Sequence, residues 1–351
     1  MRADDRVSVR AFAYQQALPF WRSRGLDVTP LDERVSTQQV EELVWAMQPA
    51  VVLTGSSVNG VDLERQFIAG ARALRIPSLA LLDFWSNYRA RFADIHGTLD
   101  SSPDKIAVMD QRARAEMIAA GFDPASLVVT GQPALDDLAR TAAEFTSAQR
   151  ASLRESLGVD PASLLVCFVS QPLSRLYPDP ADSRHPGYDE FQVARLVAAT
   201  LDDMASQHTA RITLAIRQHP REDPGKFDFL RCQHVKLVNA TAGKSRHLAL
   251  AADLVVGMTS MLLVEAHWMG CPTLSVQPGL NALDPLPAGL IRSVYYVNLL
   301  EAALREMLLL DADPATSIKP MMSADNPGGA THRVLKLVLE MAGFTSDLPQ
   351  P

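Results

Sequence analysis

What this chain of 351 residues has little of narrows its function first. It holds three cysteines, Cys167, Cys232 and Cys271, far apart and each beside apolar residues. Such spacing forms neither a disulfide framework nor a metal knuckle; three small buried hydrophobes in a reducing compartment are expected. No apolar run approaches the roughly 20 residues of a membrane-spanning helix, and the opening MRADDRVSVRAFAY is too polar for a secretory signal. A cytoplasmic protein is therefore expected, with peripheral membrane contact and homodimer formation left open. Excess positive charge is also missing. A net charge of −7 argues against a nucleic-acid partner, whose phosphates need a basic surface. HExxH, Walker A, CxxC and GxSxG patterns are all absent from the sequence. A metalloprotease, a P-loop kinase and a typical serine hydrolase are thereby disfavoured, and no metal site is expected.

What is present is an alternation. Short β-branched runs (VSVRAFA, VVLTG, SLALLD, KIAVM and LVVTG in the first half; LLVCFVS, RITLAIR, VKLVN, LVVGM, TLSVQ and VYYVN in the second) alternate with amphipathic stretches such as TQQVEELVWAMQP and FQVARLVAATLDDMASQ. Apolar strands separated by helices predict parallel sheets covered on both faces, hence an α/β chain of two doubly wound, Rossmann-like domains. The polar helical stretch around 145–160 reads as the connection, giving domains of 1–145 and 146–351, the second carrying the C-terminal helix ATHRVLKLVLEMAG. The opening strand leads into YQQALPFWRSRGLDVTPL without a Gly-rich turn. That is the look of a second strand–helix unit, so a first strand is expected to lie outside this chain.

Ligands of doubly wound sheets sit at the carboxyl ends of the strands. In the second half those ends supply Ser170, Gln171, Arg217, His219, Arg221, Lys244, Arg246, Thr259, Ser260 and Gln277. Cationic and hydroxyl groups gathered there suit an anionic ligand within an acidic protein. Thr259 and Ser260 precede MLLVEAHW, so one of them is an N-cap, and the same helix start can receive a phosphate. Glu265 lies inside that apolar helix, either as a partly exposed carboxylate or as an acceptor for a ribose diol. His219, in RQHPRED, bonds loop backbone or donates to a phosphate. In the first half, LLDFWSNYRARF places Asp83, Trp85, Tyr88 and Arg89 just after a strand. Asp83 is either a helix cap or a general base, and the rings either pack under the helix or stack on a sugar.

Three segments carry a family resemblance. PDKIAVMDQRARAEMIAAGFDPASLVVTGQPALDDL, ADLVVGMTSMLLVEAHWMGCPTLSV and DNPGGATHRVLKLVLEMAG resemble, in order, the VTGNP…D, DSGG…EEA…GKPVL and NPYGDG…RI segments of bacterial UDP-N-acetylglucosamine 2-epimerases and related glycosyltransferases of the GT-B superfamily. The resemblance implies a GT-B-like fold, two Rossmann-like domains facing a cleft with the C-terminal helix packing back. It also implies a nucleotide-sugar held mainly by the second domain as substrate, UDP-linked, with no cofactor. Thr259 matches the Ser of DSGG and Ser260 its first Gly, where the donor phosphates meet a helix start. Glu265 matches the second Glu of EE, the ribose carboxylate; His219 is similar to the histidine of HxNP; Gln277 falls in the loop that approaches the donor sugar. The departures are specific. Ser56 replaces the acid of the family's GD turn, HRREN becomes SQPLSR, and Asp83 stands near the glutamate of HVEAGLR.

Elimination and re-addition of UDP needs those lost acids, bases and cations. The leading expectation is therefore a metal-independent GT-B glycosyltransferase of bacterial surface-polysaccharide or glycoconjugate biosynthesis. Asp83 and His219 would be catalytic, with Ser170, Gln171, Arg217, Arg221, Thr259, Ser260, Glu265 and Gln277 on the nucleotide-sugar. Trp85, Tyr88 and Arg89 would face an unidentified acceptor. A 2-epimerase-like enzyme and a non-catalytic nucleotide-sugar-binding protein are the alternatives.

Overall fold

The structure is a computed structural model that describes residues 7–15, 17–32, 34–58, 62–94, 96–207, 210–241, 243–282, 284–286, 289–308 and 329–344. The chain divides into two compact units, Met1–Asp136 with Pro327–Pro351, and Asp137–Asn326. The division falls earlier than the expected 145/146 boundary, and the C-terminal helix belongs to the first unit instead of the second.

In the first unit, β1 (Ala11–Ala13) and β2 (Val28–Pro30) form a parallel two-stranded sheet. A parallel four-stranded sheet follows in chain order: β3 (Val52–Thr54), β4 (Ser78–Leu81), β5 (Lys105–Val108) and β6 (Leu127–Val129). β2 lies inside a stretch that looked helical; its three residues are too few to show a period of two. The helix Thr37–Met47 starts at Ser36 through a capping box with Gln39 and buries Val40 and Val44. The C-terminal helix Ala330–Met341 buries Val334 and Leu337 against Leu79 and Ala107, residues of β4 and β5. Its first N–H groups, on Ala330 and Thr331, donate to the Asp136 carboxylate at 2.9 and 2.6 Å. Gly131 lets it approach: φ is +80°, and an added Cβ would lie 2.9 Å from Ala330 Cβ.

In the second unit, β7 (Leu164–Val169), β8 (Ile212–Arg217), β9 (Val235–Asn239), β10 (Leu254–Gly257), β11 (Thr273–Val276) and β12 (Arg292–Val294) form one parallel sheet in the order β12-β11-β10-β7-β8-β9. The helix Glu190–Gln207 turns Val193, Val197, Leu201 and Met204, spaced four, four and three apart, onto a core containing Phe168, Leu214 and Leu254. Each such burial is worth about 1.5–3 kcal/mol. β12 overlaps the expected VYYVN strand only at Val294. Tyr296, Val297 and Leu299 are exposed around a 3₁₀ turn, beyond the last bonds to this segment from the end of β11, Gln277 N–H to Val294 O at 2.8 Å and Gly279 N–H to Tyr295 O at 3.0 Å.

That strand order fixes where a ligand can sit. β7 lies between β8 and β10, so the chain winds outward from it in both directions. The carboxyl ends of β7 and β10 are the topological switch point, where a doubly wound sheet opens a crevice.

Candidate functional site

At the switch point the two strand-end loops are tied together. Thr259 N–H donates to Gln171 Oε1 at 2.7 Å, and Gln171 Nε2 donates to Thr259 Oγ1 at 3.3 Å. Ser260 is the N-cap of the helix Met261–Trp268, its Oγ accepting Leu262 N–H at 3.2 Å. The helix thus starts one residue later than a Thr259 cap would give. The N–H groups of Ser260 and Met261 have no partner among the described residues, as the first donors of a helix commonly do not. They give this end the partial positive charge that attracts an anion.

His219 stands at the neighbouring strand end, after β8. A tight turn holds it: Glu222 N–H donates to His219 O at 2.9 Å, and His219 N–H donates to Glu222 Oε2 at 2.8 Å. The ring Nδ1 accepts Arg221 N–H at 3.1 Å. Acceptance at Nδ1 assigns the proton of the neutral ring to Nε2, making His219 an Nε2–H donor. Burial lowers its pKa from the usual value, with Glu222 opposing and Arg221 reinforcing the shift. Arg221 is exposed beside it.

The other expected ligand-binding residues are engaged within the protein. Ser170 is buried and donates to Glu222 Oε1 at 2.7 Å. Arg217 braces the loop after β9, donating to Ala240 O at 2.8 Å, Thr241 O at 3.0 Å, Gly243 O at 3.1 Å and Ser245 Oγ at 3.2 Å. Gln277 is fully buried, donates to Ser275 Oγ and Asp284 Oδ2 at 2.9 Å each, and accepts from Tyr188 OH at 3.3 Å. Those bonds engage both ends of its amide within the protein. Glu265 forms a bidentate pair with Arg246, Nε to Oε2 at 3.0 Å and Nη2 to Oε1 at 2.7 Å, with side chains only 15% and 24% exposed. The lone carboxylate in an apolar helix is thus the counter-ion of an arginine on the adjacent helix Ser245–Ala251.

In the first unit, the Asp83 carboxylate, 57% exposed, pairs with buried Arg91 and receives Ser56 Oγ at 3.5 Å. Desolvation of the carboxyl raises its pKa, and the Arg91 guanidinium works against the rise. Trp85 is buried and donates from Nε1 to Asp110 Oδ2 at 2.6 Å. Tyr88 OH donates to Glu116 Oε2 at 2.5 Å; burial raises its pKa, and Glu116 adds to the rise. Arg89 donates to Ala120 O at 2.9 Å and also to Gly97 O. The expected acceptor-side trio therefore packs and braces, because buried indole and phenol groups take the nearest polar partner. Among the described residues, no group of three His, Cys, Asp or Glu side chains could hold a metal ion, and no helix is long and apolar enough to cross a membrane.

A doubly wound six-stranded parallel sheet in the second unit and parallel sheets of two and four strands in the first make an α/β protein of GT-B-like fold. Among solved structures it is similar to the UDP-GlcNAc 2-epimerase from Neisseria meningitidis bound to UDP-GlcNAc, with a TM-score of 0.66 and 11% identity over 97% of this chain and 93% of that one. The UDP-GlcNAc 2-epimerase from Methanocaldococcus jannaschii gives 0.63 and 13% over 96% and 93%. The S. aureus MnaA–UDP complex gives 0.61 and 12% over 94% and 87%. At such identities the likeness is one of fold. No family model and no curated relative matches the sequence.

Proposed function

We propose that the second unit binds the diphosphate of a UDP-sugar at the ends of β7, β8 and β10, and that the chain acts on it as a sugar-nucleotide epimerase. The observation that carries this reading is the donor set at one sheet edge: His219 Nε2–H after β8 and the start of the helix Met261–Trp268 after β10, on the two sides of β7, with Gln171 holding Thr259 across the switch point. The expected glycosyltransferase yields to the epimerase alternative because solved epimerases share the fold over nearly the whole chain. In epimerisation by elimination, a base removes the C2 proton, the C1–O bond breaks, and UDP departs with the electron pair. Re-addition of UDP to the resulting glycal, with a proton returned to C2, gives the epimer. His219 and the helix start would stabilise charge on the departing diphosphate.

The test is incubation with UDP-N-acetylglucosamine in D₂O followed by proton NMR. Loss of the C2 proton signal, with a second epimer appearing, is expected. UDP binding by calorimetry without exchange at C2 would favour a non-catalytic binding protein, and sugar transfer to an added acceptor would restore the glycosyltransferase. Absence of UDP binding would overturn the reading of the site.

A further inference from the structure

Beneath the switch point lies a buried charged cluster that the proposed chemistry does not use. Glu222 and Glu190 flank Lys226, whose ammonium contacts both carboxylates, at 3.1 Å in the case of Glu222. The two carboxylate side chains are 1% and 0% exposed. The same ammonium lies 4.6 Å from the centroid of the Phe191 ring and 5.8 Å from that of Phe227. Glu190 also accepts Ser174 N–H at 2.8 Å and Ser174 Oγ at 2.6 Å, and the ammonium beside it helps hold its pKa low against the cost of burial.

Each acceptor of Glu222 is thereby assigned. Oε1 takes Ser170 Oγ and Lys226, and Oε2 takes the His219 backbone N–H. One side chain therefore joins the loop after β7 to the loop after β8. A buried charge on a single lysine would be costly without its partners, and the satisfied network leaves the carboxylate one geometry. The turn it closes is the one in which Arg221 N–H meets His219 Nδ1.

We infer that Glu222, locked by Lys226, is a positioning residue that fixes the His219 imidazole as a neutral Nε2–H donor toward the diphosphate. This rests on the reading that the sheet edge binds a UDP-sugar. It adds a residue to that site that touches no ligand and acts only through His219.

The experiment pairs ring ¹⁵N NMR with UDP titration, assigning the His219 signals by comparison with His219→Gln. In the unmodified chain the ring should show the Nε2–H tautomer alone. Glu222→Leu leaves Lys226 and Glu190 as a balanced pair, and its thermal melt is recorded first to establish that it is folded. It should convert the His219 signals to an averaged mixture of tautomers and weaken UDP about tenfold, the equivalent of roughly one charge-assisted hydrogen bond. Glu222→Gln, which keeps an acceptor for His219 N–H, should restore most of both. A folded Glu222→Leu variant with the single tautomer intact overturns the inference, as does a Gln variant as impaired as the Leu one. If the unmodified chain binds no UDP, the binding-site reading fails, while the tautomer comparison still decides the role of Glu222.

Discussion

The Arg246–Glu265 pair offers the sharpest test of which polar residues hold the fold and which meet a ligand. Two unit charges about 4 Å apart attract by about 4 kcal/mol at an effective dielectric of about 20. Desolvation of both groups removes a large part of that gain. With side chains 24% and 15% exposed and two hydrogen bonds between them, a net coupling of about 2 kcal/mol is expected. Arg246→Met should cost more than Glu265→Gln, since it leaves a poorly hydrated carboxylate unpaired, whereas the amide leaves only a long arginine that can reach for water. For a chain region of this size, 1 kcal/mol moves Tm by roughly 2–4 °C, so each single variant should melt about 4–8 °C lower. The double variant should melt above the sum of the two losses. Denaturant unfolding of all four proteins at equal m-value gives the coupling energy. A coupling below about 0.5 kcal/mol would refute the claim that the pair is a structural tie. Titration with UDP supplies the second arm. If Glu265 serves the fold, Glu265→Gln should leave the Kd within about twofold. A tenfold weakening in a stable Glu265→Gln protein, about 1.4 kcal/mol, would return the carboxylate to a ribose diol.

Three further outcomes follow from the same geometry. Burial holds the pKa values of His219 and His267 below the usual 6.5. The unfolded chain therefore takes up protons first, and stability should be complete above about pH 6.5 and fall as pH drops through that value. In His219→Gln this acid limb should flatten, and an unchanged limb in denaturant titrations would reassign it. Trp85→Phe removes the Nε1 bond to Asp110, whose other oxygen caps the helix Gln111–Ala119, and should cost about 1–3 kcal/mol with UDP affinity unchanged. A loss of affinity at full stability would restore Trp85 to an acceptor site. Gln277→Leu should likewise lower stability by about 1–3 kcal/mol, by leaving Asp284 and Tyr188 short of a partner, without changing the UDP Kd measured by calorimetry.

The long apolar strands of the second unit could be read from sequence because LLVCFV, ITLAI and LVVG are buried on both faces, and a buried parallel strand is a run of branched apolar residues. β2 and β12 escaped because three-residue edge strands carry no period, and Tyr295 and Tyr296 mimic one just beyond β12. The polar strand ends were legible as a set for the same reason as the strands: they begin where the apolar runs stop. Which of them meet one another was not legible. Gln171 and Thr259 are 88 residues apart, Ser170 and Glu222 are 52 apart, and Glu190 and Lys226 are 36 apart, so only the sheet order brings them together. A buried polar group must take its nearest partner, so the most buried candidates, Ser170 and Gln277, are the ones the fold claims. The donors left for a ligand are those whose geometry prevents internal pairing. They are the first N–H groups of a helix, which have no turn before them, and an imidazole nitrogen whose opposite edge is already occupied. Cationic side chains at the strand ends suggested a phosphate site in the sequence. In the structure Arg246 is neutralised by Glu265, whereas Arg217 spends its hydrogen bonds on carbonyls and a hydroxyl and keeps its charge, so the attraction proposed for an anion at this edge rests on Arg217, exposed Arg221, neutral N–H donors and the helix dipole together.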